Sequence, residues 1–279
     1  MGKSLNNKVV VITGASSGIG KALAMAMAAH GAKIVIAARS KNKLDELAGT
    51  LTEKGSEVLA VPADVAVEEQ CRMLIAKAID RFGTIDVLVN NAGISMRALF
   101  SELHLDVIRK LMDVNFWGTV YCTKYALPQL LKSKGSVVGV ISIAGHIGLP
   151  GRTGYSASKF AVRGFMDALR SENILNHLHV MVVAPGFTTS NIRKVALAAD
   201  GSPQGESPRD ENKMMSAEAV ADHIIKGIIK KKSSIVLTLK EGKLSVWLNK
   251  FFPGLVSKLA FRHMAKEPDS PLVQTRGNN

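Results

Sequence analysis

Lys8-Val9-Val10-Val11-Ile12-Thr13-Gly14-Ala15-Ser16-Ser17-Gly18-Ile19-Gly20 is the stretch that decides the fold. Its first half, Lys8 to Thr13, is a short apolar, β-branched run of the kind that forms a strand buried on both faces. It leads into a glycine turn, an Ala/Leu/Met-rich helical pattern ending at Gly31, and a second apolar strand from Lys33 to Ala38. Strand, glycine loop, helix and strand within about thirty residues make the dinucleotide-binding βαβ unit. Glycines let the backbone approach a pyrophosphate, which rests on the N–H groups of the helix N-terminus.

The second strand ends Ala37-Ala38-Arg39-Ser40-Lys41. An NAD-specific unit places an acid here for the ribose 2′-hydroxyl, and none is present. Arg39 is placed to hold a 2′-phosphate, with Ser40 and Lys41 beside it, so NADP(H) is expected over NAD(H).

The alternation then continues. Asn42 to Lys54 reads as an amphipathic helix stopped by Gly55, and Glu57 to Pro62 as a strand leading to Asp64. A helix from about Val67 to Phe82 ends at Gly83. Ile85 to Val89 is a strand running into Asn90-Asn91-Ala92-Gly93, at the carboxyl edge where doubly wound sheets bind ligands. A long helix is expected from about Leu105 to Leu131, with Asn115 inside it needing partners for its amide. Strands follow at Ser136–Ile143 and His179–Val183, and a last one is expected at Ser234–Leu239. The repeated β-α order predicts an α/β, doubly wound parallel sheet.

Tyr155-Ser156-Ala157-Ser158-Lys159 begins a helical pattern, so Tyr155 and Lys159 share one face. An ammonium beside a phenol favours phenolate, which tunes a tyrosine for acid/base work near neutral pH. Ser142, thirteen residues earlier, is placed to hold the oxygen that exchanges a proton with Tyr155. His146 lies in the intervening glycine-rich loop and reads as incidental.

Together these residues resemble the short-chain dehydrogenase/reductase family over about Val9 to Lys240. Thr13 to Gly20 resembles its cofactor motif and Asn90 to Gly93 its second motif. The resemblance implies a catalytic set of Asn115, Ser142, Tyr155 and Lys159. It implies cofactor contacts from Gly14, Ser16, Ser17, Gly18, Ile19, Gly20, Arg39 and Ser40, then Asp64 and Val65 at the adenine. Further contacts come from Asn91, Ala92, Gly93, Tyr155 and Lys159, with Pro185, Gly186 and Thr188 under the nicotinamide. In the implied reaction, hydride passes between nicotinamide and a carbonyl carbon while Tyr155 moves the hydroxyl proton. Lys159 lowers the Tyr155 pKa, Ser142 orients the carbonyl, and Asn115 holds a water that relays protons from Lys159. The family commonly forms dimers or tetramers through the helices that carry Asn115 and Tyr155, so a homodimer or homotetramer is expected. No metal ligands are assigned.

The chain has 279 residues and a net charge of +13, placed unevenly. Between Lys226 and Lys266 there are ten Lys/Arg against one acid, Glu241. Lys243 to Arg262 reads as two short amphipathic helices broken at Pro253-Gly254, a pattern suited to an anionic membrane surface. A tail packed on the substrate pocket or on a second subunit is the other reading. The basic residues interleave with aliphatics and carry no recognition motif, so nucleic acid is not an expected partner. The extent of the catalytic domain is read as 1–240 and that of the extension as 241–267. Disorder is expected over 268–279.

Residues 187–215 read as a substrate loop, polar in the middle, whose apolar stem Ile192 to Ala199 suits an apolar wall. Cys71 and Cys122 sit in apolar helical runs and are expected as buried thiols of a reduced, cytoplasmic protein. With an apolar strand entered by Val9, no signal peptide is expected. Asn6 at the sixth position argues against the myristoylation that Met1-Gly2 would start. The expected activity is reduction of a small-molecule carbonyl, with an apolar lipid- or steroid-like ketone favoured by the tail's polarity. A 3-oxoacyl-thioester reductase and a non-catalytic, NADP(H)-binding anchored protein are the alternatives.

Overall fold

The computed structural model describes residues 5–189, 192–205 and 214–274. The remainder, which includes 206–213 of the expected loop and 275–279 of the expected disordered tail, lies outside the described residues. Seven strands form one sheet: β1 (Val9–Thr13), β2 (Lys33–Ala38), β3 (Val58–Pro62), β4 (Val87–Asn90), β5 (Ser136–Val140), β6 (His179–Ala184) and β7 (Ser234–Val236). Their spatial order is β3-β2-β1-β4-β5-β6-β7, and every pairing is parallel. This is the doubly wound, Rossmann-like sheet that the β-α alternation predicts.

Parallel strands need crossovers, and right-handed helical crossovers place one layer on each face. The β1 side chains alternate accordingly. Val10 and Ile12 join Leu23 and Met27 of α1 (Gly18–Ala29), Leu44 and Leu47 of α2 (Lys41–Glu53), and Ile224 and Ile228 of α7 (Ala217–Ile229). Val9 and Val11 join the other layer, with Leu74 of α3 (Glu68–Phe82), Leu130 of α5 (Gly118–Lys132) and Met166 of α6 (Thr153–Glu172). Cys71 and Cys122 are free thiols buried in that second core.

Three elements differ from their sequence expectation. The helix expected over 105–131 is interrupted: α4 (Leu105–Leu111) passes into a π-helical turn, Met112–Trp117, before α5 begins. Such turns are found at functional sites, and this one carries Asn115. β5 stops at Val140, and Ser142 instead caps a short 3₁₀ turn, Ile143–Gly145, accepting the Ala144 N–H at 3.2 Å. β7 ends at Val236, after which a second π-helical turn, Leu239–Leu244, leads out of the sheet.

The two tail helices are α8 (Ser245–Phe251) and α9 (Pro253–Met264), divided at Phe252 as the Pro253-Gly254 break implies. Val256 of α9 is buried against Ile143 and Ile147, so the tail packs over the loop beyond β5. The disorder expected from residue 268 onward is not what 268–274 show. α10 (Pro271–Gln274) forms there, and Ser270 is buried, donating to the Met264 carbonyl at 2.9 Å. Composition misled here because part of the ordering comes from far away in sequence: Arg97 donates to the Pro268 carbonyl.

Candidate active site

The strand order reverses between β1 and β4, and the crevice at their carboxyl ends is the expected ligand position in such sheets. Thr13 closes the crevice floor. Its Oγ1 accepts the N–H groups of Asn91 and Ala92, each at 3.1 Å. Asn91 Nδ2 in turn donates to the carbonyls of Thr13 and Gly14 at 2.9 and 3.2 Å. The asparagine amide therefore ties the two loops together, as its place after the strand implies.

The glycines make a cradle that side chains would fill. Gly14 has φ +66°, and a Cβ there would come within 2.7 Å of the Ala92 Cα. At Gly20 a Cβ would meet the Gly14 carbonyl oxygen at 2.3 Å. Gly20 therefore lets α1 approach the turn from behind and does not itself line the cleft. Gly14, Ser16, Ser17, Gly18 and Ile19 do line it.

The cleft has a volume of about 480 Å³. Arg39 and Ser40 face it from the end of β2, Asp64 and Val65 from beyond β3, and Asn91, Ala92 and Gly93 from beyond β4. Ser142, Tyr155 and Lys159 face it from beyond β5 and from α6, and Pro185, Gly186 and Thr188 from beyond β6. Lys41 is turned away, bonded to Asp45 at 2.6 Å, and Lys43 lines the cleft in its place. Two residues along helix α2 turn the side-chain direction by about 200°, so the two lysines point to opposite sides.

Tyr155 and Lys159 stand one turn apart on α6. Lys159 is 3% exposed, and its Nζ donates to the Val140 carbonyl at 3.0 Å. That Nζ lies 5.9 Å from the centre of the Tyr155 ring. Burial holds the ammonium down at about 8, against its ordinary 10.5. The half-buried Tyr155 phenol is raised above its ordinary value by burial, against smaller downward pulls from a Ser142 hydrogen bond and the Arg152 guanidinium. The sequence reading expected Lys159 to lower this phenol; here burial is the largest influence on it and acts in the other direction. The ammonium is bonded to the Val140 carbonyl and is held less firmly in its charged form by burial.

Asn115 is 1% exposed and does not line the cleft. Its Oδ1 accepts the Ile94 N–H at 2.8 Å, and its Nδ2 donates to the Ile94 carbonyl at 3.0 Å and to Ser158 Oγ at 2.8 Å. Ser158 donates in turn to the Tyr155 carbonyl at 2.8 Å. The amide is satisfied by protein groups where the sequence reading looked to a water. Gly93 makes the junction fit: a Cβ there would lie 3.1 Å from both Asn115 Oδ1 and Lys159 Nζ.

Sequence reasoning missed Ser158, Arg152 and Glu267. Ser158 stood inside the motif but had no visible partner. Arg152 and Glu267 line the cleft 115 residues apart in sequence. Ile192 and Val195 of the expected apolar stem also line it, with Leu149, Phe187 and Met264. His146 is buried behind Ser142, its Nδ1 2.7 Å from Arg163 Nη1, and burial with the Arg163 cation holds it down at about 4. No cluster of His, Cys, Asp or Glu fit to hold a metal occurs among the described residues.

A glycine cradle joined to a buried Tyr/Lys/Ser end defines a dinucleotide-binding oxidoreductase of the doubly wound class. The family model described as short chain dehydrogenase matches residues 8–200, and the chain belongs to that family. It is 36% identical over 271 residues to the mouse protein "Dehydrogenase/reductase SDR family member 7B", across 95% of this chain and 84% of that one. It is 41% identical over 193 residues to "11-beta-hydroxysteroid dehydrogenase 1A" of Arabidopsis thaliana, across 68% of this chain and 55% of that one. A solved structure, an alcohol dehydrogenase from the archaeon Thermococcus sibiricus complexed with 5-hydroxy-NADP, superposes with TM-score 0.73 and 27% identity. That match covers 83% of this chain and 96% of the other.

Proposed function

We propose that the protein is an NADP(H)-dependent reductase that interconverts a carbonyl and a secondary alcohol on an apolar, lipid- or steroid-like small molecule. The observation that carries the reading is the placement of Ser142, Tyr155 and Lys159 together at one end of a cleft whose other end holds Arg39. The turn from Gly14 to Ile19, at the N-terminus of α1, fits a pyrophosphate, because backbone N–H groups come within reach only where no Cβ intervenes. Arg39, Ser40 and Lys43 supply a cation-rich end for a 2′-phosphate, with no acid among them. Asp64 and Val65 would border the adenine, and Pro185, Gly186 and Thr188 the nicotinamide.

The bound nicotinamide would supply or accept hydride. The chain's own residues handle the proton. Tyr155, raised by burial, keeps its proton at neutral pH and is in the form that protonates a carbonyl oxygen. Ser142 lines the same end of the cleft as this phenol and would hold that oxygen in line. Lys159, partly cationic near neutrality, would stabilise the phenolate left behind. Asn115 acts at one remove, fixing Ser158 and the start of α6. Leu149, Phe187, Ile192, Val195 and Met264 give the substrate end an apolar wall, which supports an apolar substrate. The hydroxysteroid and dehydrogenase/reductase names of its relatives agree with this class.

The same reading includes a homodimer or homotetramer formed through the segments that carry Asn115 and Tyr155, where Trp117 at the end of the π-helical turn and Phe160 of α6 are exposed. It also includes a cytoplasmic location with peripheral membrane contact through α8 and α9.

NADPH oxidation followed against a panel of ketones, aldehydes and oxoacyl thioesters tests the reading. Turnover is expected with bulky apolar ketones and is expected to fall at least about a hundredfold in Tyr155→Phe, as loss of a general acid does. Arg39→Asp is expected to shift preference from NADPH toward NADH. Equal turnover by wild type and Tyr155→Phe would refute the assignment.

A further inference from the structure

The substrate end of the cleft is walled by a segment remote in sequence. Met264, at the end of α9, and Glu267 face the same space as Arg152 and Tyr155. The Glu267 side chain is 5% exposed, and its Oε2 lies 3.3 Å from Arg152 Nη2 and 3.4 Å from Arg97 Nε. Arg97 also donates to the Pro268 carbonyl. Arg152 is the N-cap residue of α6, three positions before Tyr155, and its Nη1 donates to the Gly151 carbonyl at 3.1 Å. One carboxylate therefore gathers the loop after β4, the first turn of α6 and the C-terminal turn. Burying three charges to hold a tail is dear in desolvation, and an apolar contact of the same size would hold it as well. The charges call for a role that packing cannot supply.

We propose that Arg152 and Glu267 are a positioning pair of the active site, which seats Met264 as the wall for the substrate's apolar body and sets the electrostatic field at Tyr155. The inference rests on Tyr155 as the proton donor of the proposed reaction. The Arg152 cation already pulls the Tyr155 phenol downward against burial. The Glu267 carboxylate is paired with the same guanidinium, and a negative charge beside that cation would offset its pull. The two members of the pair thus act on Tyr155 with opposite sign, whereas as mere structural braces they would act alike.

The chain has three tyrosines, Tyr121, Tyr125 and Tyr155, so phenolate absorbance can isolate one of them. Each protein is titrated beside the same protein carrying Tyr155→Phe, and the difference reports Tyr155 without any substrate. Glu267→Gln is expected to move the Tyr155 titration to lower pH and Arg152→Gln to higher pH, while Arg152→Lys, which keeps the charge, restores it toward wild type. In steady state, both Gln variants are expected to raise KM for a bulky apolar ketone about tenfold, with KM for a short aliphatic ketone changed less than about twofold. Shifts in the same direction, or none, would overturn the proposal. Opposite shifts in a protein that reduces no carbonyl would sink the proposed activity and leave the pair's effect on Tyr155 standing.

Discussion

Lys159 shows how a single residue couples stability to chemistry. The unfolded chain holds its ammonium proton with a pKa near 10.5, and the folded chain holds it at about 8. Between those values the unfolded state binds more protons, so stability rises as pH climbs from about 8 to 10.5 and the burial penalty is fully present below about 8. At roughly 1.4 kcal/mol per unit, that penalty is on the order of 3 kcal/mol at pH 7. Lys159→Met is expected to abolish turnover while raising the melting temperature at pH 7 by several degrees, and the gain should shrink near pH 10. Calorimetry of both proteins at the two pH values checks this. A variant that melts below wild type at pH 7 contradicts it. Tyr155, Ser142 and Lys159 were legible because their spacing is local and their residue types are rare in that pattern. The direction of the Tyr155 shift was not, because desolvation depends on everything packed around the ring.

At the scale of elements, the π-helical turn Met112–Trp117 is the feature that the apolar pattern concealed. A helix that widens for one turn keeps its apolar periodicity on either side, so 105–131 reads as one continuous helix. What the wider turn does is present Asn115 to the Ile94 backbone, both N–H and C=O, in a buried place. Asn115→Ala would leave that N–H, that C=O and the Ser158 hydroxyl short of a partner, at about 1–3 kcal/mol for each group left unsatisfied. The expected result is a lower denaturant midpoint with an unchanged slope, together with weaker activity through a loosened start of α6. An unchanged midpoint would show that the amide bonds carry no stability. The strand starts were read to within two residues, because a β-branched run buried on both faces has few other solutions, whereas β5 and β7 each end three residues before their apolar runs do.

At the scale of the molecule, α8 and α9 form a surface unlike the rest. Trp247, Phe251, Phe252, Leu255 and Leu259 are each about half exposed, beside the exposed cations Lys243, Lys250, Lys258 and Arg262. Among the described residues no helix is long and apolar enough to cross a membrane. A peripheral seat fits such a face, since each basic residue near an anionic surface adds about 1 kcal/mol. The purified chain is expected to sediment with vesicles containing phosphatidylserine and not with neutral ones, and to be released by salt. Lys250→Glu with Lys258→Glu should abolish sedimentation while NADPH oxidation in solution persists. Equal binding to neutral vesicles would remove the electrostatic part of the reading. Because Met264 and Glu267 follow directly from α9, the surface adjoins the substrate end of the cleft.

The sequence by itself determined the sheet, its parallel winding, the glycine cradle and the Ser142, Tyr155 and Lys159 set. Each of these rests on short-range pattern, where backbone freedom and periodicity leave little choice. Only the tertiary structure decided that Lys43 and not Lys41 faces the cleft, that Asn115 is tied to Ile94 and Ser158, and that Glu267 walls the substrate end. Those outcomes depend on which distant groups can satisfy a buried charge or amide. That is a property of the packed chain, and no local run of residues contains it.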